Sequence, residues 1–284
     1  MANPLLSLAA AAARWLPAPL KRALYRLGPV SSGLRSALNR AAPAGLTEVE
    51  VAGGLLAGSK MLLDLQTEKD YWLGNYEFEL QEAIREFAKP GMVAYDIGAN
   101  IGYTSLLLAK HVGTNGKVFA FEPLTSNQER LQKNLDINAS SNVKVILKAV
   151  ADVSGKRQFV VHSSGAMGKL RGSNGRETQY QNSIEIESVA LDEFVFKQRN
   201  SKPDLIKIDI EGAEGLALQG MMRVIQEAKP LLMIELHGEE AARACWQILT
   251  NTGYSIHKLT RGYPQVFDLS NLSWKSYILA RQPA

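Results

Sequence analysis

Short apolar segments recur from residue 92 onward, separated by longer segments that mix apolar and polar residues. Each apolar segment is rich in Val, Ile, Leu, Met, Ala or Phe. Such segments predict buried β-strands, because both faces of a strand in a covered parallel sheet are apolar. The predicted core strands are Met92–Asp96, Lys117–Phe121, Val143–Val150, Leu205–Asp209 and Leu231–Leu236.

The segments that follow these strands have apolar residues at helical spacing. They predict helices over Gly102–His111, Ser126–Asn138, Gly215–Lys229 and Glu239–Thr250. Strands that alternate with helices predict an open parallel sheet covered on both faces, which is a doubly wound α/β fold.

Two parts of the chain depart from this alternation. Gln158–His162 and Ile184–Val189 read as strands, and the polar segment Ser163–Asn182 between them predicts a long loop. A loop of this length in a compact domain is usually functional or disordered. Near the C-terminus, Ser255–Leu259 and Trp274–Ala280 predict a terminal hairpin on the sheet.

The N-terminal third has a different pattern. In Val49–Leu65 apolar and polar residues alternate loosely, and the steps Gly53-Gly54 and Gly58-Ser59 predict the turn of a β-hairpin. The apolar residues of Tyr76–Ala88 have helical spacing and predict a helix. The sequence therefore predicts three segments: a basic, Ala/Leu-rich helical arm over 1–47, a hairpin and helix over 48–90, and the α/β domain over 91–284.

The net charge of +4 resides in the arm. Six of the 32 basic residues and none of the 28 acidic residues lie before Glu48, so the remainder is slightly acidic. Because no nucleic-acid-binding motif accompanies the basic arm, we do not expect a nucleic-acid partner. Arg14, Pro17 and Pro19 interrupt the arm, and no stretch reaches the roughly 20 apolar residues of a membrane-spanning helix.

Three interpretations of the arm stay open. It can lie on an anionic membrane surface, serve as an organelle transit peptide, or cover the domain or a partner subunit in self-association. The single cysteine, Cys245, rules out an intrachain disulfide and is typical of a reducing compartment. We therefore expect a cytoplasmic protein, with peripheral membrane contact as the variant that the arm allows.

A glycine-rich turn follows the first core strand. The strand ends at Asp96, and Gly98, Asn100 and Gly102 lead into the next helix. A dinucleotide fold favours a second glycine where Asn100 stands, so that a pyrophosphate reaches bare amides. Asp96 repels phosphate but attracts an ammonium group, which favours S-adenosylmethionine (SAM) as the ligand.

Two further acids follow neighbouring strands. Glu122 comes directly after Lys117–Phe121, where an acid accepts hydrogen bonds from ribose hydroxyls, in NAD enzymes as well. Asp152 follows the third strand at a position suited to an adenine amino group. The alternative for Asp152 is a turn residue before Ser154-Gly155.

Several motifs of this sequence resemble those of class I SAM-dependent methyltransferases, and more narrowly those of the FkbM family. The resemblance covers roughly Val49 to the C-terminus and is strongest where the loop motif joins the fourth-strand motif. Its motifs are Gly74-Asn-Tyr76-Glu77, Asp96-Ile-Gly-Ala-Asn-Ile-Gly102, Phe121-Glu122-Pro123, Lys207-Ile-Asp209-Ile-Glu211-Gly212-Ala213-Glu214 and Ile234-Glu235-Leu236-His237.

The resemblance implies a Rossmann-like, seven-stranded sheet and O-methyl transfer to a hydroxyl of a sugar, glycolipid or natural product. It also implies a set of SAM-binding residues: Asp96, Gly98, Asn100, Gly102, Glu122 and Asp152.

Candidate catalytic residues stand at the ends of the fourth and fifth strands. Asp209 and Glu211 are two residues apart, and Glu235 and His237 repeat that spacing. We expect His237 or Glu211 to act as the general base and Asp209 to orient SAM or the acceptor. Glu235 is a candidate for contact with the acceptor. Although this cluster can hold a divalent ion such as Mg²⁺, the sequence alone offers no support for one, and no metal site is assigned.

Other residues receive simpler interpretations. Tyr76 and Glu77 are candidates for closing the site on the acceptor, together with the polar loop. Glu214 reads as an acid in the first turn of a helix, where it complements the helix dipole.

Two other functions stay open at this point. An NAD(P)-dependent oxidoreductase uses a similar sheet, although Asn100 argues against it. A SAM-binding scaffold without catalytic turnover is the second alternative.

Overall fold

Most of the chain is described in the computed structural model. Parts of three predicted segments lie outside the described residues: the arm between 16 and 27, most of the polar loop, and the start of the last strand. Within the described part, no helix combines the length and the apolar character that a membrane crossing requires. The described residues are 4–15, 28–162, 168–170, 180–272 and 277–282.

The structure divides into two compact units. The first contains the described residues up to Gln81 together with Asp136–Ala139, and the second contains the remainder. The division falls inside the predicted segment 48–90 rather than at its end.

The first unit consists of helices and a hairpin. Helices α1 (Pro4–Trp15) and α2 (Gly28–Ala41) lie in the segment predicted as a helical arm. The predicted hairpin is formed by antiparallel strands β1 (Leu46–Glu50) and β2 (Lys60–Asp64), and α3 (Lys69–Leu73) follows it. The role of the arm stays a prediction.

Close backbone packing holds this unit together. A Cβ atom on Gly74 would stand 2.0 Å from the backbone oxygen of Gly53, so neither chain segment tolerates a side chain there. The Gln81 side chain donates to the backbone oxygens of Gly74 at 3.2 Å and Tyr76 at 2.5 Å. These bonds order the turn before α4 (Phe78–Phe87), the predicted helix, which continues into the second unit.

The second unit is built on a mixed sheet of eight strands in the order β13-β12-β14-β11-β10-β3-β4-β5. The five strands from β11 to β5 are parallel, and β14 runs antiparallel between β11 and β12. The predicted terminal hairpin is confirmed, and the two-residue edge strand β13 extends the seven strands implied by the resemblance to eight. The strands are β3 (Val93–Ile97), β4 (Lys117–Phe121), β5 (Val143–Ile146), β10 (Leu205–Ile208), β11 (Leu231–Glu235), β12 (Ser255–Lys258), β13 (Gln265–Val266) and β14 (Tyr277–Arg281).

Helices connect the parallel strands as the pattern predicted. They are α5 (Tyr103–Val112), α6 (Thr125–Ile137), α7 (Glu214–Gln219), α8 (Met222–Glu227) and α9 (Glu239–Asn251). The apolar side chains of the strands meet those of α7, α8 and α9 in one large core cluster.

The predicted single helix Gly215–Lys229 is wrong, because α7 and α8 are separate. A Cβ atom on Gly220, between them, would stand 2.0 Å from the backbone oxygen of Ala151. The Asp192 carboxylate accepts the N–H groups of Arg223 and Val224 at 2.9 Å and so caps the start of α8. Tertiary contacts therefore set the break.

The predicted single strand Val143–Val150 is also wrong. It divides into β5 in the large sheet and β6 (Ala149–Val150), which pairs with β9 (Tyr180–Val189) in a second sheet. The chain leaves the large sheet for the second at this point. The N–H of Glu122 donates to the backbone oxygen of Ile146 at the end of β5, and the N–H of Ala151 donates to the backbone oxygen of Val189 in the second sheet.

The second sheet has the order β6-β9-β7-β8. Its strands β7 (Gly155–His162) and β9 (Tyr180–Val189) are the two predicted strands, extended and paired antiparallel. The short strand β8 (Gly168–Leu170) lies inside the segment predicted as a loop.

The order of the large sheet positions the site. The chain proceeds from β3 outward to β5 and then returns to β10 on the other side of β3. Ligands of open α/β sheets bind where the order reverses in this way, beyond the carboxyl ends of the strands. In this protein those ends are Ile97 and Ile208, which are paired in register.

Candidate active site

A glycine-rich turn leads from β3 to α5, and we call residues 96–102 the glycine loop. Gly98 has a φ of +79°, and a Cβ atom there would stand 1.9 Å from the backbone oxygen of Asp209. Only glycine fits this backbone conformation and this close approach. The glycine loop therefore lies directly against the carboxyl end of β10.

Several amide groups of the glycine loop are bonded inside the protein. The N–H groups of Gly98 and Ala99 both donate to the backbone oxygen of Phe121 at 3.0 Å. The N–H of Asn100 donates to Glu122 Oε2 at 2.9 Å. These three amides are not directed at a ligand, in contrast to those of a loop that cradles a phosphate.

Glu122 is buried and accepts three hydrogen bonds. The donors are the N–H of Asn100, the N–H of Leu124 at 3.0 Å, and Asn127 Nδ2 at 3.2 Å. A carboxylate offers about four acceptor positions, so one is left for a ligand hydroxyl. Burial raises the pKa of Glu122 to about 7, against the lowering effect of its N–H donors. Nearby, the Oδ1 atom of Asn100 is buried without a hydrogen-bond partner in the described part of the chain.

Asp96 lies behind the loop and has no exposed surface. Its Oδ2 accepts a hydrogen bond from Ser105 Oγ at 2.6 Å, and its Oδ1 is 3.3 Å from Lys207 Nζ. Lys207 Nζ also donates to the Gly98 oxygen at 3.0 Å and lies 3.5 Å from Asp209 Oδ2. In this structure Asp96 offers no surface to a ligand ammonium group, and its contacts support the loop from behind instead.

The carboxyl ends of β10 and β11 bring together the four predicted catalytic or substrate residues. We call Asp209, Glu211, Glu235 and His237 the carboxylate–histidine cluster. His237 Nε2 lies 3.5 Å from Glu235 Oε2 and 3.8 Å from both Asp209 Oδ1 and Glu211 Oε2. Tyr277 Oη, from β14, donates to Asp209 Oδ2 at 3.4 Å.

Charges within the cluster alter its protonation. Burial alone would lower the pKa of His237, but Glu214, Asp209 and Glu235 outweigh it and raise this pKa to about 9. Burial alone would raise the pKa of Asp209, but Lys207 and His237 reverse the effect and lower it. The raised pKa favours the charged form of His237, which argues against its predicted role as the general base.

Glu211 has an unusual backbone conformation for its residue type. Its φ is +53°, in the left-handed region that a non-glycine residue rarely adopts. Strain of this kind occurs at functional sites, where the surrounding structure maintains it. Asn100 in the glycine loop shares this conformation, with a φ of +48°, so both loops of the site contain a non-glycine residue in the left-handed region.

Two residues of the site were missed by sequence reasoning. Glu214 has no exposed surface, and its Oε1 lies 2.9 Å from His237 Nδ1, so it does more than complement a helix dipole. Lys207 links the glycine loop to the cluster. The spacing of Lys207 could have indicated its place in the site. Lys207 and Asp209 are two residues apart, and a strand places such residues on one face.

Asp152, Tyr76 and Glu77 are the remaining predicted residues. Asp152 is half-buried after β6, and its Oδ1 accepts a hydrogen bond from Arg157 at 2.7 Å. Tyr76 and Glu77 belong to the first unit, where the Tyr76 ring packs against Tyr71 with centroids 4.2 Å apart. Their contacts with adenine and with an acceptor stay predictions.

Comparison with known proteins identifies relatives of this chain. It is 29% identical over 186 residues to the hexuronic acid methyltransferase AglP of Haloferax volcanii. The aligned region covers 64% of this chain and 73% of AglP. The crystal structure of the methyltransferase FkbM from Methylobacillus flagellatus KT aligns with a TM-score of 0.44 and 21% identity over 76% of this chain. This chain spans about half of that protein, at 53%.

A second solved structure is similar over a comparable length. The SAM-dependent O-methyltransferase of Thermotoga maritima aligns with a TM-score of 0.41 and 13% identity, over 72% of this chain and 65% of that chain. The model of the methyltransferase FkbM domain matches residues 96–256, from the start of the glycine loop through the carboxylate–histidine cluster. Because this match covers more than half of the chain, the protein belongs to the FkbM family of methyltransferases.

Proposed function

We propose that the protein transfers a methyl group from SAM to a hydroxyl oxygen of a sugar-containing acceptor. The name of the Haloferax volcanii relative, a hexuronic acid methyltransferase, supports a sugar acid as the first acceptor to test. The free hydroxyl groups of such a sugar are oxygen nucleophiles of the kind that this reaction needs.

The internal bonding of the glycine loop supports SAM over a dinucleotide. A pyrophosphate requires N–H groups that point outward, but the N–H groups of Gly98, Ala99 and Asn100 are already bonded. Two acceptors remain nearby: Asn100 Oδ1 has no hydrogen-bond partner among the described residues, and Glu122, with three donors, keeps one acceptor position. Acceptors suit the hydroxyl, amino and ammonium groups of SAM, which contains no phosphate. Membership in a methyltransferase family also disfavours the oxidoreductase alternative.

The residues present fit this ligand. Gly98 and Gly102, with φ of +79° and +91°, place no side chain at two turns of the loop. Glu122 would accept a ribose hydroxyl, Asn100 a second polar group, and Asp152 the adenine amino group. Asp96 acts indirectly, by holding Lys207, whose ammonium group binds the oxygen of Gly98.

One observation carries the proposal: the glycine loop and the carboxylate–histidine cluster form a single site. Gly98 lies against the backbone of Asp209, and Lys207 contacts both. Bound SAM supplies an electrophilic methyl group on its sulfonium sulfur. A hydroxyl held by the cluster would therefore lie next to the cofactor, and such positioning lowers the barrier to transfer.

We assign the general base to Glu211. The His237 side chain is 2% exposed and its Nδ1 is bonded to Glu214, whereas the half-buried carboxylate of Glu211 can accept the hydroxyl proton as the oxygen–carbon bond forms and the carbon–sulfur bond breaks. Asp209 and Glu235, beside His237, would line the acceptor side of the site.

Binding and turnover test the proposal separately. We expect calorimetry on the full chain to detect SAM and S-adenosylhomocysteine but not NADH or NADPH. With glucuronic acid and its glycosides as acceptors, we expect formation of S-adenosylhomocysteine and a product heavier by one methylene group. Glu211→Gln should retain SAM affinity and slow transfer by roughly 10²–10⁴-fold, the usual contribution of a general base.

Two results would contradict this assignment. Binding of a nicotinamide dinucleotide in place of SAM would refute the cofactor. Binding of SAM without S-adenosylhomocysteine formation from any hydroxylated acceptor would favour a scaffold without turnover.

A further inference from the structure

The Nε2 atom of His237 is a buried polar atom with no hydrogen-bond partner among the described residues. The side chain of His237 is 2% exposed, and Nε2 points at three carboxylate oxygens, at 3.5 to 3.8 Å. The distances from Nε2 to these oxygens are longer than a hydrogen bond. They are also too short for a water molecule to bridge Nε2 and any one of the oxygens. An unbonded buried nitrogen that faces several carboxylates is typical of a site for a cation.

The other ring nitrogen of His237 is already fixed. Nδ1 lies 2.9 Å from Oε1 of Glu214, a residue with no exposed surface. The same oxygen of Glu214 accepts the N–H of Gly212 at 3.0 Å, which anchors the carboxylate. A histidine that binds a metal usually donates its second N–H to a carboxylate in this way, because the bond sets the ring orientation and directs the Nε2 lone pair outward.

The spacing of the ligand atoms suits a small cation. One ligand atom from each of Asp209, Glu235 and His237 lies within 4.8 Å of the other two. Metal–ligand bonds of about 2.1 Å at tetrahedral angles place ligand atoms about 3.4 Å apart, close to the 3.5 and 3.8 Å measured from Nε2. Three protein ligands leave at least one position for an acceptor oxygen.

We propose that Asp209, Glu235 and His237 bind a divalent transition-metal ion and that Glu214 is the residue that positions His237. An imidazole ligand beside two carboxylates favours Mn²⁺, Fe²⁺ or Zn²⁺ over Mg²⁺ and Ca²⁺, which prefer oxygen ligands throughout. The ion takes the Nε2 position and displaces the proton there to solvent. Its use, to hold and polarise an acceptor oxygen next to the methyl group, rests on the proposed function, whereas ion binding itself does not.

Mn²⁺ alone is a suitable probe, added to the full chain after removal of bound metals with a chelator. We expect one Mn²⁺ per chain, measured as loss of the free-ion signal in electron paramagnetic resonance. Pulsed resonance should also detect a directly bonded ¹⁴N nucleus, the signature of the histidine ligand. Glu235→Gln should weaken binding at least tenfold, and Glu214→Gln by roughly 10–100-fold, as for other residues that orient a metal-bound histidine.

The matched control is Glu185→Gln, which removes an exposed carboxylate paired with Lys156 in the second sheet. This variant should bind Mn²⁺ as the wild type does. If a cluster variant does not fold, as judged by circular dichroism, the ¹⁴N coupling of the wild-type protein decides alone.

A wild-type protein that leaves Mn²⁺ free, or binds it without ¹⁴N coupling, overturns the inference, as does unchanged affinity in folded Glu235→Gln. SAM titrations on the same samples, without metal, separate the two proposals. Binding of SAM but not Mn²⁺ refutes only the metal site, whereas binding of Mn²⁺ but not SAM refutes only the cofactor.

Discussion

Lys207 is the cation that joins the glycine loop to the carboxylate–histidine cluster, and its replacement by Met tests that role. Its side chain is 3% exposed, and Nζ is within 3.5 Å of Asp96, Gly98 and Asp209. Met retains most of the aliphatic chain, so the change removes the charge and its hydrogen bonds while leaving only a small cavity. Among the described residues, Asp96 would then be left buried with Ser105 Oγ as its side-chain hydrogen-bond donor.

The expected cost is large for a single substitution. Removing one partner of a buried ion pair destabilises a protein by about 3–5 kcal/mol, because the other charge stays buried without compensation. The total free energy of unfolding of such domains is about 5–15 kcal/mol. Lys207→Met should therefore lower the urea midpoint substantially, measured by far-UV circular dichroism in the presence of a chelator.

A control variant and a double variant separate the charge effect from packing. Lys202→Met removes an ion pair with Glu227 that is exposed on both sides, and such pairs contribute little. Adding Asp96→Asn to Lys207→Met should cost less than the two single effects combined, by about 0.5–3 kcal/mol, because both charges are then absent. Equal midpoints for Lys207→Met and Lys202→Met would refute the reasoning.

Three further predictions concern single residues. Gly98→Ala should destabilise the protein more than Gly253→Ala, although both glycines have φ near +80°. The Gly253 change costs only the backbone strain of about 1–2 kcal/mol, whereas a Cβ atom at Gly98 would also stand 1.9 Å from the backbone oxygen of Asp209. Equal urea midpoints for the two variants would contradict this. Burial raises the pKa of Glu122 from 4.5 to about 7, so the folded state retains a proton that the unfolded state releases between these values. The contribution of Glu122 to stability should fall by about 3 kcal/mol as the pH rises through that window; urea titrations at several pH values should show the stability difference between the wild type and Glu122→Gln changing across the window, and a constant difference would refute this. Burial also raises the pKa of the Cys245 thiol, so a disulfide reagent should label it only after unfolding, and rapid labelling of the native protein would refute this.

The sequence predicted most secondary-structure elements because the pattern that defines them is local. Lys117–Phe121 is apolar at four of its five positions, and α9 has helical spacing over its whole length, so each follows from its own residues. The glycine loop was predicted for the same reason. Its conformation depends on a few consecutive residues, and the reversal point of the sheet is a consequence of the order of the elements.

What the sequence could not determine depends on residues that are distant along the chain. The break at Gly220 results from the backbone of Ala151, and the division of Val143–Val150 from two different neighbouring strands. No local pattern encodes such partners, because they meet only when the sheets have formed.

The same reason limits prediction of the site. Asp209, Glu211, Glu235 and His237 were predicted from their positions at strand ends, since parallel strands bring those ends together. The burial of Asp96, the contact between Glu214 and His237 across 23 residues, and the raised pKa of His237 were decided by tertiary packing alone. Residue types and spacing determine which groups reach the site, whereas the pKa and contacts of each group depend on the charges and burial that only the folded chain provides.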